Sequence, residues 1–458
     1  MAKRFLASAC AAAMTCALAA PAYAQQVPQL PAGAVSQRTQ PGVPQQVTLQ
    51  QAVDIAVAKS PVLAAARANR QLTQIPVNLA RSVVFPNVSA SASTSHSNNS
   101  GRSVSGQTIG GGFTSRGLNA DLRQLIYDGG KFVAQLHQAR ANAVAGTQTY
   151  ERDLETLSFN VAQAYYTALA AHASTLLAVQ VVNQNVVQEN LVRAQLRAGT
   201  ASRVDLATAQ LPTAQARVAL VRAQGSEATS LAAFANTLGL DADVAVAPAN
   251  TAAVNSPATQ VTVLTYDQAV ARALLLRPDY LAAQNGVLAA KYNVQVQRSN
   301  LLPTLNANAS YGTNSTTVTG TDFRPGSTIG ATLSIPIFDQ GITRAQTQQA
   351  QAQLDLAESQ LDQTRLGVEL NVRAALVGLV TAQGAVAQAQ AELAKAQEIL
   401  KATQAQYRAG VTTLPLLLNA QVGLTTAETD QLNAIYGLRQ AEQTYTFALG
   451  QNTIAATP

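Results

Sequence analysis

The chain contains two long stretches in which apolar residues recur every three or four positions. In one, between residues 354 and 403, most recurring positions are apolar and many are small; a matching series runs from 136 to 196. A spacing held this long is typical of a coiled-coil seam. Residues 130–197 as one helix would extend roughly 100 Å, at about 1.5 Å per residue. The pattern therefore predicts long paired helices rather than an ordinary globular core.

Four shorter segments alternate between apolar and polar residues with a period of two. The alternation is clear in 118–123 and 329–337 and weaker in 86–98 and 303–316. Polar, turn-like residues separate the members of each pair. We therefore predict two β-hairpins, at about 86–127 and 303–338. One apolar and one polar face is compatible with a soluble sheet and with the wall of a membrane barrel.

The same landmarks occur twice along the chain, in the same order. Three landmarks recur 217 residues later: Gln51-Ala52-Val53, Pro61 and Phe85-Pro86. Three others recur 211 residues later: Tyr127-Asp128-Gly129-Gly130, Arg197-Ala198-Gly199 and Leu238-Gly239. The sequence therefore predicts an internal two-fold repeat, with repeat 1 at 47–240 and repeat 2 at 263–450. Each repeat is expected to contain a first helix (about 47–84 or 264–301), a hairpin, a long helix, a glycine turn and a return helix.

The segments outside the repeats have distinct compositions. Residues 1–24 are typical of a signal peptide, since a basic start and an apolar run precede Ala22-Tyr23-Ala24, so we expect a mature N-terminus at Gln25. Both cysteines, Cys10 and Cys16, lie in this segment without a lipobox, which predicts a mature chain with neither disulfides nor a lipid anchor. The proline-rich residues 25–46 are predicted to form an extended strap, 241–262 a linker and 451–458 a short tail.

Charge and motif content narrow the function classes. After loss of the signal peptide, 28 basic and 24 acidic residues leave a net charge of +4, too mild to indicate nucleic-acid binding. After residue 24 the sequence contains no run of 18 apolar residues, so we predict no helical membrane span in the mature chain. His96, His137 and His172 are isolated and are expected to face solvent or a pore. Gly110-Gly111-Gly112 is assigned to a hairpin loop, without the helix that phosphate binding needs. We therefore expect no catalytic site, metal or cofactor.

The hairpins separate three interpretations of the long helices. A rod-like periplasmic coiled coil, structural or adaptor-like, would explain the helices but gives no reason for two hairpins at equivalent positions. A periplasmic enzyme is disfavoured by the absent site chemistry. A membrane duct explains both features, but four strands cannot close a barrel, and open edges are not tolerated in lipid. Several chains would share one barrel, two giving eight strands and three giving twelve.

With these features in place, the chain resembles the TolC outer-membrane factor family, from about Leu49 to Leu449. The resemblance rests on Leu49-Gln-Gln-Ala-Val-Asp-Ile-Ala with Pro61, Ala80-Arg81-Ser82 with Phe85-Pro86, Leu125-Ile126-Tyr127-Asp128-Gly129-Gly130, Ile335-Pro336-Ile337-Phe338-Asp339, Tyr407-Arg408-Ala409-Gly410 and Leu449-Gly450. It implies a mainly α fold with a β-barrel part: coiled-coil helical hairpins forming a periplasmic α-barrel, plus four transmembrane strands per chain in a trimeric, 12-stranded shared barrel. The implied role is a passive outer-membrane duct for efflux or type I secretion.

The resemblance also implies partners and a site at the glycine turns. The implied partners are two further copies of the chain, outer-membrane lipid, a periplasmic adaptor protein and, indirectly, an inner-membrane pump. The positions that match the adaptor-binding tips are Arg197, Gly199, Thr200, Arg408, Gly410 and Val411.

A periplasmic gate is implied close to these turns. Asp205 and Tyr407 match an aspartate and a tyrosine that hold the pore shut in the family, and a Tyr hydroxyl is expected to donate to the carboxylate. Three further gate positions depart from the family pattern: Thr412 replaces a basic residue, while Leu416 and Asn419 replace acidic ones. An acidic ring is therefore not expected at this level. Asp205 also forms a capping-box pattern with Ser202, and Gly199 and Gly410 fit helix C-caps, so structural roles stand beside the functional ones.

Overall fold

We analysed a computed structural model, which describes residues 44–98, 102–104, 107–109, 112–249, 263–316 and 324–451. The expected signal peptide, the start at Gln25, most of the strap and the tail beyond residue 451 lie outside these residues. So do Gly110 and Gly111. Gly112 is described and begins a strand, so the assignment of this glycine to a loop was wrong.

The two halves of the chain contain matching helices of equal length. The first half has β1 (Gln46–Val47), α1 (Leu49–Lys59), α2 (Pro61–Ser82), β2 (Asn87–Asn98), β3 (Arg102–Val104), β4 (Gln107–Ile109), β5 (Gly112–Tyr127), α3 (Lys131–Arg197), α4 (Arg203–Thr237) and β6 (Ala247–Pro248). The second half has α5 (Tyr266–Leu276), α6 (Pro278–Ser299), β7 (Thr304–Thr316), β8 (Arg324–Ser334), α7 (Ile342–Arg408) and α8 (Leu414–Ala448). Both α3 and α7 have 67 residues, and both α4 and α8 have 35, so the predicted internal repeat is confirmed.

The first helix of each repeat is divided in two, which corrects the prediction of single helices over 47–84 and 264–301. Pro61 and Pro278 begin α2 and α6, and the residues before them, Ser60 and Arg277, are extended (φ −64°, ψ 123° and φ −67°, ψ 120°). Proline disfavours a helical conformation in the residue that precedes it and fits the first turn of a new helix. The signal for this break was present in the sequence.

The breaks lie against the C-terminal ends of the return helices. Gly239 and Gly450, which follow α4 and α8, have left-handed φ angles of 75° and 70°. A Cβ at Gly239 would lie 2.9 Å from the carbonyl oxygen of Lys59, and one at Gly450 would lie 3.0 Å from the backbone nitrogen of Arg277. Glycine therefore fits both positions for two reasons: it adopts a positive φ at low cost, and it has no Cβ that would contact the neighbouring backbone.

The long helices bury the predicted seam. The seam positions of α7 are buried or half-buried from Leu354 to Thr403, with the exception of Glu358, and the corresponding positions of α3 follow the same pattern. α3 packs on α2, α4, α6 and α8, whereas α7 packs mainly on α5, α6 and α8. Polar side chains join α3 to α8 as well, since the Gln163 amide donates to the Gln440 carbonyl (3.2 Å) and the Gln440 amide donates to Thr167 Oγ1 (3.1 Å).

One long helix is also apolar over part of its length. Among the described residues, only α7 contains an 18-residue window of mean hydropathy 1.3, which could cross a membrane by length and composition. The expectation that no segment after the signal peptide is apolar enough to span a membrane was therefore too strict. Because the window belongs to a 67-residue helix that packs along α6 and α8, it is weak support for a membrane-spanning helix.

The two hairpins combine into one antiparallel four-stranded sheet of order β2-β5-β7-β8. The register places Val88 opposite Leu122, Leu122 opposite Ala309, and Ala309 opposite Ile329. Directly opposed residues share a face, so Leu, Ile, Val and Ala gather on one side. The other side carries Ser, Asn, Thr, Asp and Arg. The predicted alternation is confirmed, although β8 ends at Ser334, and the small β3–β4 hairpin was not predicted.

The described part of the predicted linker, residues 241–249, packs into the structure. Val244 and Val246 are buried in the core of repeat 1, and β6 pairs in parallel with β1. These residues connect the two repeats, as predicted, but they also pack on repeat 1, with Val244, Val246 and Ala249 buried. The pairing also anchors the end of the strap at Gln46–Val47.

Equivalent aspartates mark the exits from the sheet into the long helices. Asp128 accepts hydrogen bonds from the backbone N–H groups of Gly130 (3.1 Å) and Phe132 (2.6 Å). Asp339 accepts from those of Gly341 (3.1 Å) and Thr343 (2.8 Å). The bonds from Thr343 lower the pKa of Asp339. These caps satisfy first-turn donors of α3 and α7 and fix the angle at which each helix leaves the sheet.

Candidate functional site

The turns after α3 and α7 have the same backbone conformation. Gly199 and Gly410 have φ angles of 76° and 71°. The N–H of Gly199 donates to the Leu196 carbonyl (3.1 Å), and that of Thr200 donates to the Gln195 carbonyl (2.9 Å); Gly410 and Val411 repeat these bonds to Tyr407 (3.1 Å) and Gln406 (2.9 Å). This is a Schellman arrangement, so the helix-cap role of both glycines is confirmed.

The turns present exposed side chains at the ends of both helical hairpins. Arg197, Thr200, Arg408 and Val411 are exposed, and nothing lies within 4 Å of a Cβ built on Gly199 or Gly410. The two arginines contribute positive charge in the last helical turn, where the helix dipole is negative. The residues named as tips thus form two accessible surfaces of similar shape, and their binding role stays a prediction.

The return helices begin in different ways. In α4, the Ser202 N–H donates to Asp205 Oδ2 (2.8 Å) and the Asp205 N–H donates to Ser202 Oγ (3.1 Å), which completes a capping box. Hydrogen bonds from the Ser202 backbone and side chain lower the pKa of Asp205. In α8, Leu416 occupies the position equivalent to Asp205, and Thr413 makes no side-chain cap bond; Pro415 lies in the first turn instead. The capping role of Asp205 is therefore confirmed.

The two turns are held together within one chain by an apolar cluster. Leu414 and Leu418 of α8 are buried against Val192 and Ala209, with Ala201, Leu206 and Tyr407 packed around them. Sequence reasoning placed Val192 on the seam and Tyr407 at the gate, but it missed Ala201, Leu206, Ala209, Leu414 and Leu418. The spacing of Leu414 and Leu418 by four residues was the available signal, because it places both side chains on one face of α8.

Tyr407 lies at this cluster but has a different partner from the one expected. The Tyr407 hydroxyl donates to Gln195 Oε1 at 3.2 Å. The Asp205 carboxylate, to which this hydroxyl was expected to donate, instead accepts hydrogen bonds from the Ser202 amide and hydroxyl, both at Oδ2. We call the apolar cluster together with the Tyr407–Gln195 bond the tip latch.

The remaining gate residues bring no charge to the site. Thr412 is half-buried, while Leu416 and Asn419 are exposed and border a groove between α7 and α8 that also contains Lys395 and Ile399. Their role in a gate stays a prediction.

The histidines are not isolated. His172 Nδ1 lies 2.6 Å from Glu227 Oε1, His96 Nδ1 lies 3.0 Å from Thr114 Oγ1, and the His137 ring stacks on Tyr292 at a centroid distance of 5.0 Å. Each histidine therefore has a partner on a neighbouring element. Over the described ranges, no group of three or more His, Cys, Asp or Glu side chains is placed to hold a metal ion.

Comparisons with known proteins give one family over nearly the whole chain. The model of the outer membrane efflux protein family matches residues 52–240 and 269–451. The outer membrane efflux protein BepC of Brucella suis is 29% identical over 86% of this chain and 85% of its own length. Protein CyaE of Bordetella pertussis is 28% identical over 82% of this chain and 78% of its own.

A solved structure shares the fold. The crystal structure of a membrane protein from Pseudomonas aeruginosa aligns with a TM-score of 0.78 and 21% identity, covering 88% of this chain and 92% of that one. The overall arrangement of long helical hairpins and a strand region predicted from the sequence is thereby confirmed.

The capping box predicts unequal effects of two equivalent substitutions. Ser202→Ala removes a side-chain cap and should destabilise α4 by about 1 kcal/mol. Thr413→Ala is the matched control at the start of α8, where no side-chain cap bond exists, and it should have little effect. Thermal unfolding of the purified protein, followed by helical circular dichroism, compares the two. Equal losses would contradict the assignment of the box.

Proposed function

We propose, on the premise that this chain belongs to the outer membrane efflux protein family, that three copies form a passive outer-membrane duct of a tripartite efflux or secretion system. The sheet would lie in the outer membrane, and the helices would extend into the periplasm. The duct would receive cargo at the tip turns and release it at the cell surface.

The observation that carries this proposal is the sheet with one apolar and one polar face. Val88, Leu118, Ile329 and Leu333 lie on the apolar face, and all are exposed in the single chain. Their neighbours on the polar face include Asp121 and Arg123. An exposed apolar face of this extent fits a lipid surface, and the polar face fits an aqueous lumen. A periplasmic coiled coil without a membrane part gives no account of this sheet.

The edges of the sheet support a shared barrel. In the described part of the chain, β2 pairs only with β5, and β8 pairs only with β7. The outer edge of each strand would leave backbone N–H and C=O groups unpaired in lipid, at a cost of several kcal/mol for each group. Pairing between copies removes both edges, and three copies give twelve strands.

We propose that the adaptor protein docks at the tips formed by Arg197, Gly199, Thr200, Arg408, Gly410 and Val411. These residues are exposed, repeat at both hairpins and lie at the end of the helices farthest from the sheet. A passive duct needs a partner to supply energy, which fits an inner-membrane pump coupled through the adaptor. The chain thus acts as a channel rather than as an enzyme.

Assembly and docking can be tested together. Native mass spectrometry in detergent should show three chains for wild type and for Gly199→Val/Gly410→Val, since a valine in a left-handed cap costs only about 1–2 kcal/mol.

Adaptor co-purification should fall for this double variant because the turns are reshaped. Gly130→Val is the matched control, with φ +82° and open space at the sheet end of α3. A stable folded monomer in membranes would contradict the duct, and undiminished docking would contradict the tip assignment.

We also propose that the tip latch closes the periplasmic aperture. Leu414 and Leu418 hold the second hairpin against the first, and the Tyr407–Gln195 bond adds a directional contact. Thr412, Leu416 and Asn419 would line the same region without forming an acidic ring. Asp205 would fix the start of α4 through its capping box and would take no part in the latch itself.

The latch predicts a non-additive effect on conductance. Tyr407→Phe and Gln195→Ala each remove a hydrogen bond worth about 0.5–1.5 kcal/mol, and each should raise single-channel conductance in planar bilayers. The double variant should resemble the single ones, because both changes remove the same bond. Asp205→Ala should lower thermal stability without changing conductance. Unchanged conductance in both single variants would show that this bond does not close the channel.

A further inference from the structure

The charged residues of the strands are mostly basic and are unevenly placed. Asp121 is the one acidic residue of the strands that the structure describes, whereas the same strands contain Arg102, Arg116, Arg123 and Arg324. All of these arginines except Arg123 lie toward the end of the strands that is remote from the long helices. The far end of the strand region therefore carries an excess of positive charge.

Arg116 lies on the apolar face of the sheet. It is two residues from Leu118 in β5, and residues two apart in a strand point to the same face. The register places Arg116 opposite Thr94 of β2 and Ser315 of β7, so hydroxyl-bearing residues flank it on both sides. Arg116 is exposed, and Asp121 lies on the opposite face. No acidic residue of the described strands thus shares the face of this arginine.

His96 is a second basic residue on the same face. It pairs with Thr114, which is two residues from Arg116, so His96 and Arg116 occupy diagonal positions about 7–8 Å apart. His96 Nδ1 lies 3.0 Å from Thr114 Oγ1, a contact that holds the exposed ring through one nitrogen and leaves Nε2 to bind another group. A phosphate group between the two side chains could accept hydrogen bonds from both.

The second hairpin forms the equivalent strands without these basic residues. The equivalents of Arg116 and His96, 211 and 217 residues later, are Ser327 and Thr313. Both hairpins nevertheless pair in continuous antiparallel register. The fold therefore does not require a basic residue at either position.

Arg116 lies about one membrane thickness from the end at which the strands meet the helices. Phe85 and Phe338, which are 69% and 84% exposed, flank that end. From Tyr127 to Arg116, β5 would extend roughly 36 Å at about 3.3 Å per residue. At a tilt of about 40° this is roughly 28 Å along the membrane normal, compared with about 25 Å for the apolar band of a membrane barrel. Arg116 would therefore lie at the far boundary of the lipid.

We infer that Arg116 and His96 bind a phosphate group of a phosphorylated glycolipid in the outer leaflet of the outer membrane. This inference rests on the proposed function, which places the helices in the periplasm and hence the far end of the sheet at the cell surface. The guanidinium group of Arg116 suits a phosphate because it donates two parallel hydrogen bonds.

A lipid fits this surface better than a soluble phosphate, because the surface has an apolar part as well as a basic part. Leu118, Leu122 and Val88 continue the face from Arg116 toward the helices, and all are exposed in the single chain. The acyl chains of the lipid would cover these side chains while its phosphate contacts Arg116 and His96. A free phosphate would leave the apolar part uncovered.

Binding of a fluorescent bisphosphorylated lipid A to the detergent-purified protein tests the inference, with the same lipid after enzymatic dephosphorylation as the comparison. Wild type should bind the phosphorylated form more tightly. Arg116→Gln should weaken that binding about fivefold, and Arg116→Gln/His96→Gln should abolish the preference for the phosphorylated form. Arg123→Gln is the matched control, since it removes the same charge from the opposite face of the same strand, and it should bind like wild type.

Three results would overturn the inference. One is equal binding of the phosphorylated lipid by wild type and by a double variant that unfolds at the wild-type temperature. Another, which needs no variant, is equal affinity of wild type for the two forms of the lipid. The third is complete displacement of the lipid by millimolar inorganic phosphate, which would identify a soluble anion as the ligand.

The proposed duct is tested separately, by membrane fractionation and native mass spectrometry of the wild type. A trimer in the outer membrane that is indifferent to lipid phosphate would contradict only this inference. A chain that does not reach the outer membrane would contradict the proposed function itself.

Discussion

The structure depends on one requirement, that every backbone polar group of the four strands finds a partner. The sheet meets this requirement internally at three interfaces and leaves it unmet at the outer edges of β2 and β8. In water such edges cost little, but next to an apolar face that fits lipid they are not tolerated. In the proposed assembly, further copies would pair these edges, and this requirement connects the separate features of the chain.

The duplicated sequence supplies the strands and helices that this requirement needs in two equivalent sets. Each repeat brings one hairpin and one set of helices, and repeat 1 contacts repeat 2 through the pairing of β5 with β7 and the packing of α3 on α6 and α8. In the proposed assembly, a ring of equivalent repeats would place the polar face of every strand toward the same lumen, and the long helices would extend that lumen. The small seam residues of these helices allow close packing of neighbouring helices. At the far end, the tip latch keeps two hairpins of one chain in contact.

Much of this could be predicted from periodicity, because side-chain direction repeats every 3.6 residues in a helix and every two in a strand. The seam of α7 and the two faces of β5 follow from that rule alone. The break before Pro61 was also visible, since proline restricts the residue that precedes it. The partner of Tyr407 could not be predicted, because Gln195 lies 212 residues away and the match depends on how two hairpins are rotated against each other. In this chain the Tyr407 hydroxyl donates to Gln195, while the Asp205 carboxylate accepts from Ser202 of its own helix start.

The central claim is that β2 and β8 become interior strands when the protein assembles. Hydrogen–deuterium exchange at single-residue resolution, on protein reconstituted in lipid, measures this directly. The account predicts that the amides of β2 and β8 exchange as slowly as those of β5 and β7. Alternate amides of β2 and β8 exchanging as fast as those of an unpaired strand, while β5 and β7 stay protected, would contradict it.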